Sequence, residues 1–241
     1  RVIDERLLPD RIVEVYFYLA GARAFAKDYD KAVAAAETAS KMVPASAEMA
    51  SRVPWTLFQA GKYSEARDAY LAILDRFDSD FTSPGNREAM RDVRMMLSTT
   101  LLELDQLDEA EEWLQQVLDS FPEHIGTMND LAYLWCDRGK HLNRALAMAE
   151  TATNAEPENT AYRDTLGWAL FRVKRFEDAV VELKKAASSE PADGVVLDHL
   201  GDAYLKTNQS KKAIDAWRKA VAAFEKQDDT SHVKETRDKI K

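Results

Sequence analysis

Apolar residues recur along this chain at intervals of three and four, in short blocks separated by polar turns. In TAYRDTLGWALFRVKRFEDAVVELKKAASSEPAD, residues 160–193, Leu166, Leu170 and Val173 mark one face of a helix. Ala179, Val180, Leu183 and Ala187 mark one face of a second. Lys174 and Arg175 form the polar turn between them. Pro191 is expected to end the second helix, because a proline ring cannot continue the helical ladder. A lone hairpin cannot cover such faces, so other elements must stack on it.

The neighbouring sequence supplies them. Alanine recurs at Ala32, Ala66, Ala110, Ala145, Ala179 and Ala213, with spacings of 34, 44, 35, 34 and 34. A large residue followed by a small one recurs at Leu19-Ala20, Val53-Pro54, Leu97-Ser98, Leu131-Ala132, Leu166-Gly167 and Leu200-Gly201. A third row, Tyr29, Tyr63, Leu107, Leu142 and Phe176, lies three residues before the alanines, and Pro44, Pro122, Pro157 and Pro191 close four of the copies. A fixed period of this length is the mark of a stacked array of helix pairs.

These rows resemble the tetratricopeptide repeat (TPR) family over residues 13–227. The resemblance implies an all-α fold: a right-handed superhelical α-solenoid of about six helix hairpins with a C-terminal capping helix. The repeats are expected at 13–46, 47–80, 87–124, 125–159, 160–193 and 194–227, with an insertion near 79–88 and the capping helix at 228–241. Residues 1–12 read as the tail of a preceding helix or a linker, ended by Pro9. Small residues in both helices of a pair allow close backbone approach, so a bulky side chain at Gly167 or Ala179 is expected to cost about 1–3 kcal/mol.

Two places break the pattern. Pro54 stands inside a first helix and removes a hydrogen bond to the Ala50 carbonyl, which predicts a kink or a broken turn. The insertion carries Ser83-Pro84-Gly85-Asn86, a turn signal with Asn86 as a candidate N-cap. After residue 227 a Lys-rich segment with Lys234, Arg237, Lys239 and Lys241 is read as a solvated cap.

Composition narrows the function. With 33 Lys and Arg against 42 Asp and Glu the net charge is −9, which argues against a nucleic-acid partner. Apolar runs are too short to span a membrane. The single cysteine, Cys136, excludes an internal disulfide. The chain lacks an initiator Met and reads as a piece of something longer. A soluble protein is expected, and the compartment stays open between cytoplasm and bacterial envelope.

No phosphate loop, nucleophile elbow or paired Cys/His motif is present. The histidines His124, His141, His199 and His232 are scattered, and Cys136 and His141 are poorly spaced for a metal. No enzyme activity, metal or cofactor is expected.

In the family the first helices line a concave groove. Carried over position by position, the resemblance places Trp55, Phe58, Asn129, Tyr133, Asp164, Trp168, Phe171, Arg172, Asp198 and Asp202 on that wall as partner-binding residues. Family members that grip acidic chaperone tails use Lys, Asn and Arg there, whereas here the matching positions carry Asp164, Asp198 and Asp202, with Asn129 alone in keeping. A protein or peptide that is basic, aromatic or apolar is the expected partner of a non-catalytic scaffold. Two other readings stay open: a self-associating assembly module, and the regulatory arm of a larger enzyme or envelope protein. Repeats four to six also resemble bacterial TPR proteins.

Overall fold

A computed structural model describes residues 11–79, 84–188 and 191–241. Among these residues there are thirteen helices and no strand. The chain divides into two compact units, Arg1–Pro122 and Glu123–Lys241. The first holds α1 (Ile12–Phe25), α2 (Tyr29–Met42), α3 (Ala47–Gln59), α4 (Tyr63–Phe77), α5 (Pro84–Glu103) and α6 (Leu107–Ser120). The second holds α7 (Ile125–Arg138), α8 (Leu142–Ala155), α9 (Thr160–Arg172), α10 (Phe176–Ala186), α11 (Gly194–Lys206), α12 (Ser210–Lys226) and α13 (Thr230–Ile240).

Consecutive helices pair as hairpins, and within each unit the first helix of one hairpin lies against the first helix of the next. The alanine row is the reason they pair so closely: Ala32, Ala66, Ala110, Ala145, Ala179 and Ala213 are all fully buried. Facing them are the small residues of the first helices. A Cβ on Gly167 would meet Leu183 Cγ at 2.5 Å, and one on Gly201 would meet Trp217 Cδ1 at 2.4 Å. The Trp217 indole fills the space that a side chain at Gly201 would take. In the first unit Ser98 holds the matching position and its hydroxyl donates to the Ala110 carbonyl at 2.9 Å.

Each hairpin turn contains a residue in the left-handed region: Lys27, Gly61, Asp105, Gly139 with His141, Lys174 and Asn208. At Lys174 the reversal lets the Arg175 amide donate to the Leu170 carbonyl at 2.9 Å, which satisfies an end-of-helix carbonyl. Several first helices are started by side chains. Ser46, Asn159 and Asp193 accept from the amides of Met49, Ala161 and Val195.

Three sequence expectations change. The helix α3 runs unbroken through Pro54, so there is no broken turn; the ring is buried and fills the small-residue position. Asn86 does not cap a helix. It lies inside α5, buried, and its Oδ1 accepts from the Ala47 amide at 3.4 Å. A proline is tolerated in the first turn of a helix, where its missing donor is not needed, so α5 is already helical at Pro84. At the other end of the expected pattern, α10 stops at Ala186, well short of Pro191. Residues 1–10 of the expected tail at 1–12, and residues 80–83 of the insertion near 79–88, lie outside the described residues.

Candidate functional site

Four of the predicted binding residues meet in the second unit around His199. In α9, Trp168 stacks on Phe171 at 5.0 Å and on His199 of α11 at 4.2 Å, with the ring planes within 10° and 8° of parallel. Tyr133 of α7 is tilted against His199 at 6.2 Å, and Phe176 sits edge-on to Phe171 at 5.4 Å. Five rings therefore form one continuous run across α7, α9 and α11 and into α10. All of them except His199 are partly exposed.

The run is held in place by charged groups. The Trp168 indole N–H donates to Asp137 Oδ1 at 2.7 Å, Arg172 donates to the Asp137 carbonyl at 3.2 Å, and the Arg172 guanidinium lies 5.5 Å from the Trp168 ring centre. Asp164 is buried, 6% exposed, and its Oδ1 lies 3.1 Å from His199 Nδ1. Burial alone would push His199 down. Asp164, with Asp137 and Asp198 nearby, outweighs it and holds the imidazole above its ordinary value. The imidazole stacks on the face of Trp168, where a cation would be attracted to the ring.

Asp198 and Asp202 are not free carboxylates awaiting a basic partner. Lys239 of α13 reaches both, at 2.6 Å and 2.9 Å. Thr236 donates to Asp198 at 3.0 Å, and the Trp217 indole donates to Asp202 at 3.1 Å. The Lys-rich end is therefore not simply a solvated cap: Lys239 is anchored, and its two carboxylate neighbours hold its ammonium above the usual range despite burial. Asn129 of α7 is buried. Its amide nitrogen donates to Asp130 at 3.2 Å and its Oδ1 has no partner. Cys136 is fully buried, which pushes its thiol up to about 12, so it is a packing residue and not a nucleophile.

The remaining predicted residues, Trp55 and Phe58, lie in the first unit. Trp55 meets Phe25 edge-on at 5.9 Å, and Phe58 meets Tyr63 at 5.3 Å. Both are partly exposed.

Sequence reasoning missed His199 and Lys239. The repeat itself carried a signal for the first. A residue on one first helix neighbours the residue about one period later on the next, and Asp164 and His199 are 35 apart. The lysine had no such signal, since it reaches across from a helix outside the array.

Comparison with known proteins agrees with this geometry. Two family models, both described as tetratricopeptide repeat, match residues 19–81 and 55–125 in one case and 196–227 in the other, together more than half of the chain. A TPR repeat-containing protein of Pseudomonas aeruginosa is 26% identical over 120 residues, covering 49% of this chain and 20% of that protein. The chain thus spans about a fifth of the length of the curated relative it matches.

Among solved structures, a tetratricopeptide repeat protein from Parabacteroides merdae superposes with a TM-score of 0.65 at 12% identity, covering 95% of this chain and 92% of that one. MamA from Desulfovibrio magneticus gives 0.57 at 18% identity, with 76% and 97% covered. YrrB, described as a TPR protein with an unusual peptide-binding site, gives 0.54 at 19%, with 76% and 88% covered. At these identities the structures speak for the fold alone. On the matched repeats, the chain belongs to the tetratricopeptide repeat family, whose members are typically non-catalytic protein–protein interaction scaffolds.

Proposed function

We propose that this chain binds an extended segment of a partner protein against its first helices, with the ring run of the second unit as the main anchor. One observation carries the reading. Trp168 is partly exposed yet already fixed by Asp137, Arg172 and the flanking rings. An aromatic surface that is rigid before the partner arrives loses little entropy on binding, which is the usual build of an interface hot spot. The occupant favoured by such a surface is an apolar or aromatic side chain. A basic side chain would reach Asp198 and Asp202 only by displacing Lys239, so basic partners bind with that cost included. The peptide-binding description of YrrB supports the class of ligand and no more.

The test uses peptides selected from a displayed random library on the whole chain, with affinities measured by calorimetry. Trp168→Ala should weaken a selected peptide by about tenfold or more, while circular dichroism shows the helices retained. Trp168→Phe, which keeps the ring and loses the indole N–H, should recover part of the affinity. Unchanged affinity in the alanine variant rejects this face as the binding site.

A second reading has its own observation. On α1, Tyr18 and Phe25 are 67% and 78% exposed, large apolar side chains with little cover. Such a surface suits self-association. Light scattering over a concentration range should then show a mass rising above that of one chain, and Phe25→Glu should abolish the rise; a constant single-chain mass rejects it.

A further inference from the structure

The hold of α13 on the second unit is mostly polar. Thr236 is the one buried residue of this helix, against three to eight in each of α7 to α12. Val233 and Ile240 are half-buried, the first against Leu197 and Phe224, the second against the cluster of Tyr204 and Trp217. The His232 ring lies on Phe224 at 5.0 Å, and Arg237 pairs with Glu225 in the open. The rest of the grip falls on two side chains. Thr236 and Lys239 take both oxygens of Asp198, and Lys239 takes one of Asp202 as well. Seating α13 leaves only 18% and 20% of the two carboxylate side chains exposed and 33% of the lysine. Covering three charges costs solvation, and their mutual attraction offsets that cost only in part. The anchor that positions α13 therefore adds little net hold, over a small apolar contact.

What α13 covers is a built receptor. Asp198 and Asp202 stand about one turn apart on α11, with Leu197 and Tyr204 of the same helix and Trp217 and Phe224 of α12 as apolar ground around them. The Trp217 indole N–H donates to Asp202 at 3.1 Å and fixes its direction. The complement is written in α13 itself, as Val233, Thr236, Lys239 and Ile240: an apolar residue, a hydroxyl three on, a cation three further and an apolar residue next to it. These positions share one face of a helix. Residues 230–241 carry four basic side chains against two acidic ones, in a chain whose net charge is −9, so the charges of the two surfaces also match.

We propose that this face of α11 and α12 is a docking surface for a helix of a partner protein that carries the same pattern, with α13 as its resident competitor. The partner's Lys or Arg takes the place of Lys239 between the two carboxylates, its Ser or Thr the place of Thr236, and α13 swings out about residues 227–229. Those three residues tie α13 beside its own receptor, at an effective concentration of about millimolar or more. A second copy's α13 has the same home site and gains nothing by leaving it. A partner helix has no such home, and it adds contacts beyond the eleven residues of α13. The surface uses none of the five rings of the run. It rests on the segment-binding reading only in taking the partner to be a protein.

The experiment uses the whole chain and two variants that unseat α13 from its own side, Lys239→Ala and Val233→Asp; both leave the receptor on α11 and α12 unaltered. The probe is the blocked peptide of residues 229–241, beside a second peptide with Gln at the position of Lys239. Binding is followed by calorimetry and by the Trp217 indole N–H resonance. The first peptide should bind both variants about tenfold or more tightly than it binds the parent, and should return the Trp217 resonance to its parental position. The Gln peptide, or Asp202→Asn in the variant chains, should lose about that factor again. On the parent, helices longer than α13 selected from a displayed library should carry the hydroxyl–cation spacing and speed exchange of the α13 amides. A peptide that binds the variants no better than the parent, or that tolerates Gln, overturns the receptor. Variants that double in mass by light scattering with no gain for the peptide overturn the partner protein in favour of a second copy. Selected helices that bind the parent and leave α13 protected overturn the competition. Trp168 enters none of these readouts, so failure here is separable from failure of the ring-run test.

Discussion

In the Glu123–Lys241 unit Asp164 meets His199, Asp198 and Asp202 share Lys239, and Asp137 receives Trp168. In the Arg1–Pro122 unit the Arg52 Nε and the Tyr70 hydroxyl are buried without a hydrogen-bond partner among the described residues. The two units have the same hairpins and the same buried alanines, so the fold does not dictate this difference. It follows from what stands at a few positions on otherwise equivalent helices. The second unit pairs these carboxylates and offers rings, leaving the Asn129 Oδ1 open; the first leaves donors open. In a family whose architecture is constant, such local choices are where partner chemistry is written.

The largest expected effect probes the second unit's close approach. Gly201→Leu should destabilise that unit by about 3 kcal/mol or more, because even a methyl would collide with Trp217. In denaturant melts the transition of the second unit should shift while that of the first stays in place. Equal shifts in both would show that the units do not melt separately.

Next in size is Lys239→Ala. It leaves Asp198 and Asp202 as adjacent, partly covered carboxylates without a cation, a loss of about 1–2 kcal/mol between the exposed and buried limits. Hydrogen exchange should show α13 opening first. No change in its protection would mean that Thr236 and the apolar contacts alone seat the helix.

Tyr70→Phe has the opposite sign. Removing an unsatisfied buried hydroxyl should stabilise the first unit by about 1 kcal/mol in the same melts. A loss of stability would reveal a partner for the hydroxyl and dissolve the contrast between the units.

The smallest effect is on pH. His199 has a native value raised above its ordinary one, chiefly through Asp164. Its contribution to stability is complete below about pH 6.5, the unfolded value, and is lost as pH climbs through the raised native value. Thermal melts of the second unit should fall across that window, and Asp164→Asn should flatten the slope. Burial also raises Asp202, against the pull of Lys239.

The hairpins were legible because packing leaves a periodic trace. The alanines that are fully buried in space stand 34 or 35 apart in sequence, except where the insertion intervenes. The fate of Asp198 and Asp202 was not legible, because Lys239 lies 41 and 37 residues away on a helix that follows no repeat. Their neighbour Asp164 was placed on the groove wall, yet it is buried under His199. Tyr70 did leave a signal. Four residues after each alanine the row reads Ala36, Tyr70, Leu114, Ala149, Leu183 and Trp217. Tyr70 brings a hydroxyl into a core row, and a buried hydroxyl asks for a partner. Arg52 stood three residues before Trp55, which was assigned to the wall, and a helical count alone does not show that its guanidinium would lie over the Phe17 and Trp55 rings.

The reach of Lys239 also bears on the order of assembly. Contacts that close hairpins join residues near in sequence, such as Gly167 with Leu183, and can form as soon as two helices exist. The Lys239 contacts need α11 already in register to present both carboxylates on one side. Docking of α13 is therefore a late event in folding, and α13 should acquire protection from exchange only after the two helices before it.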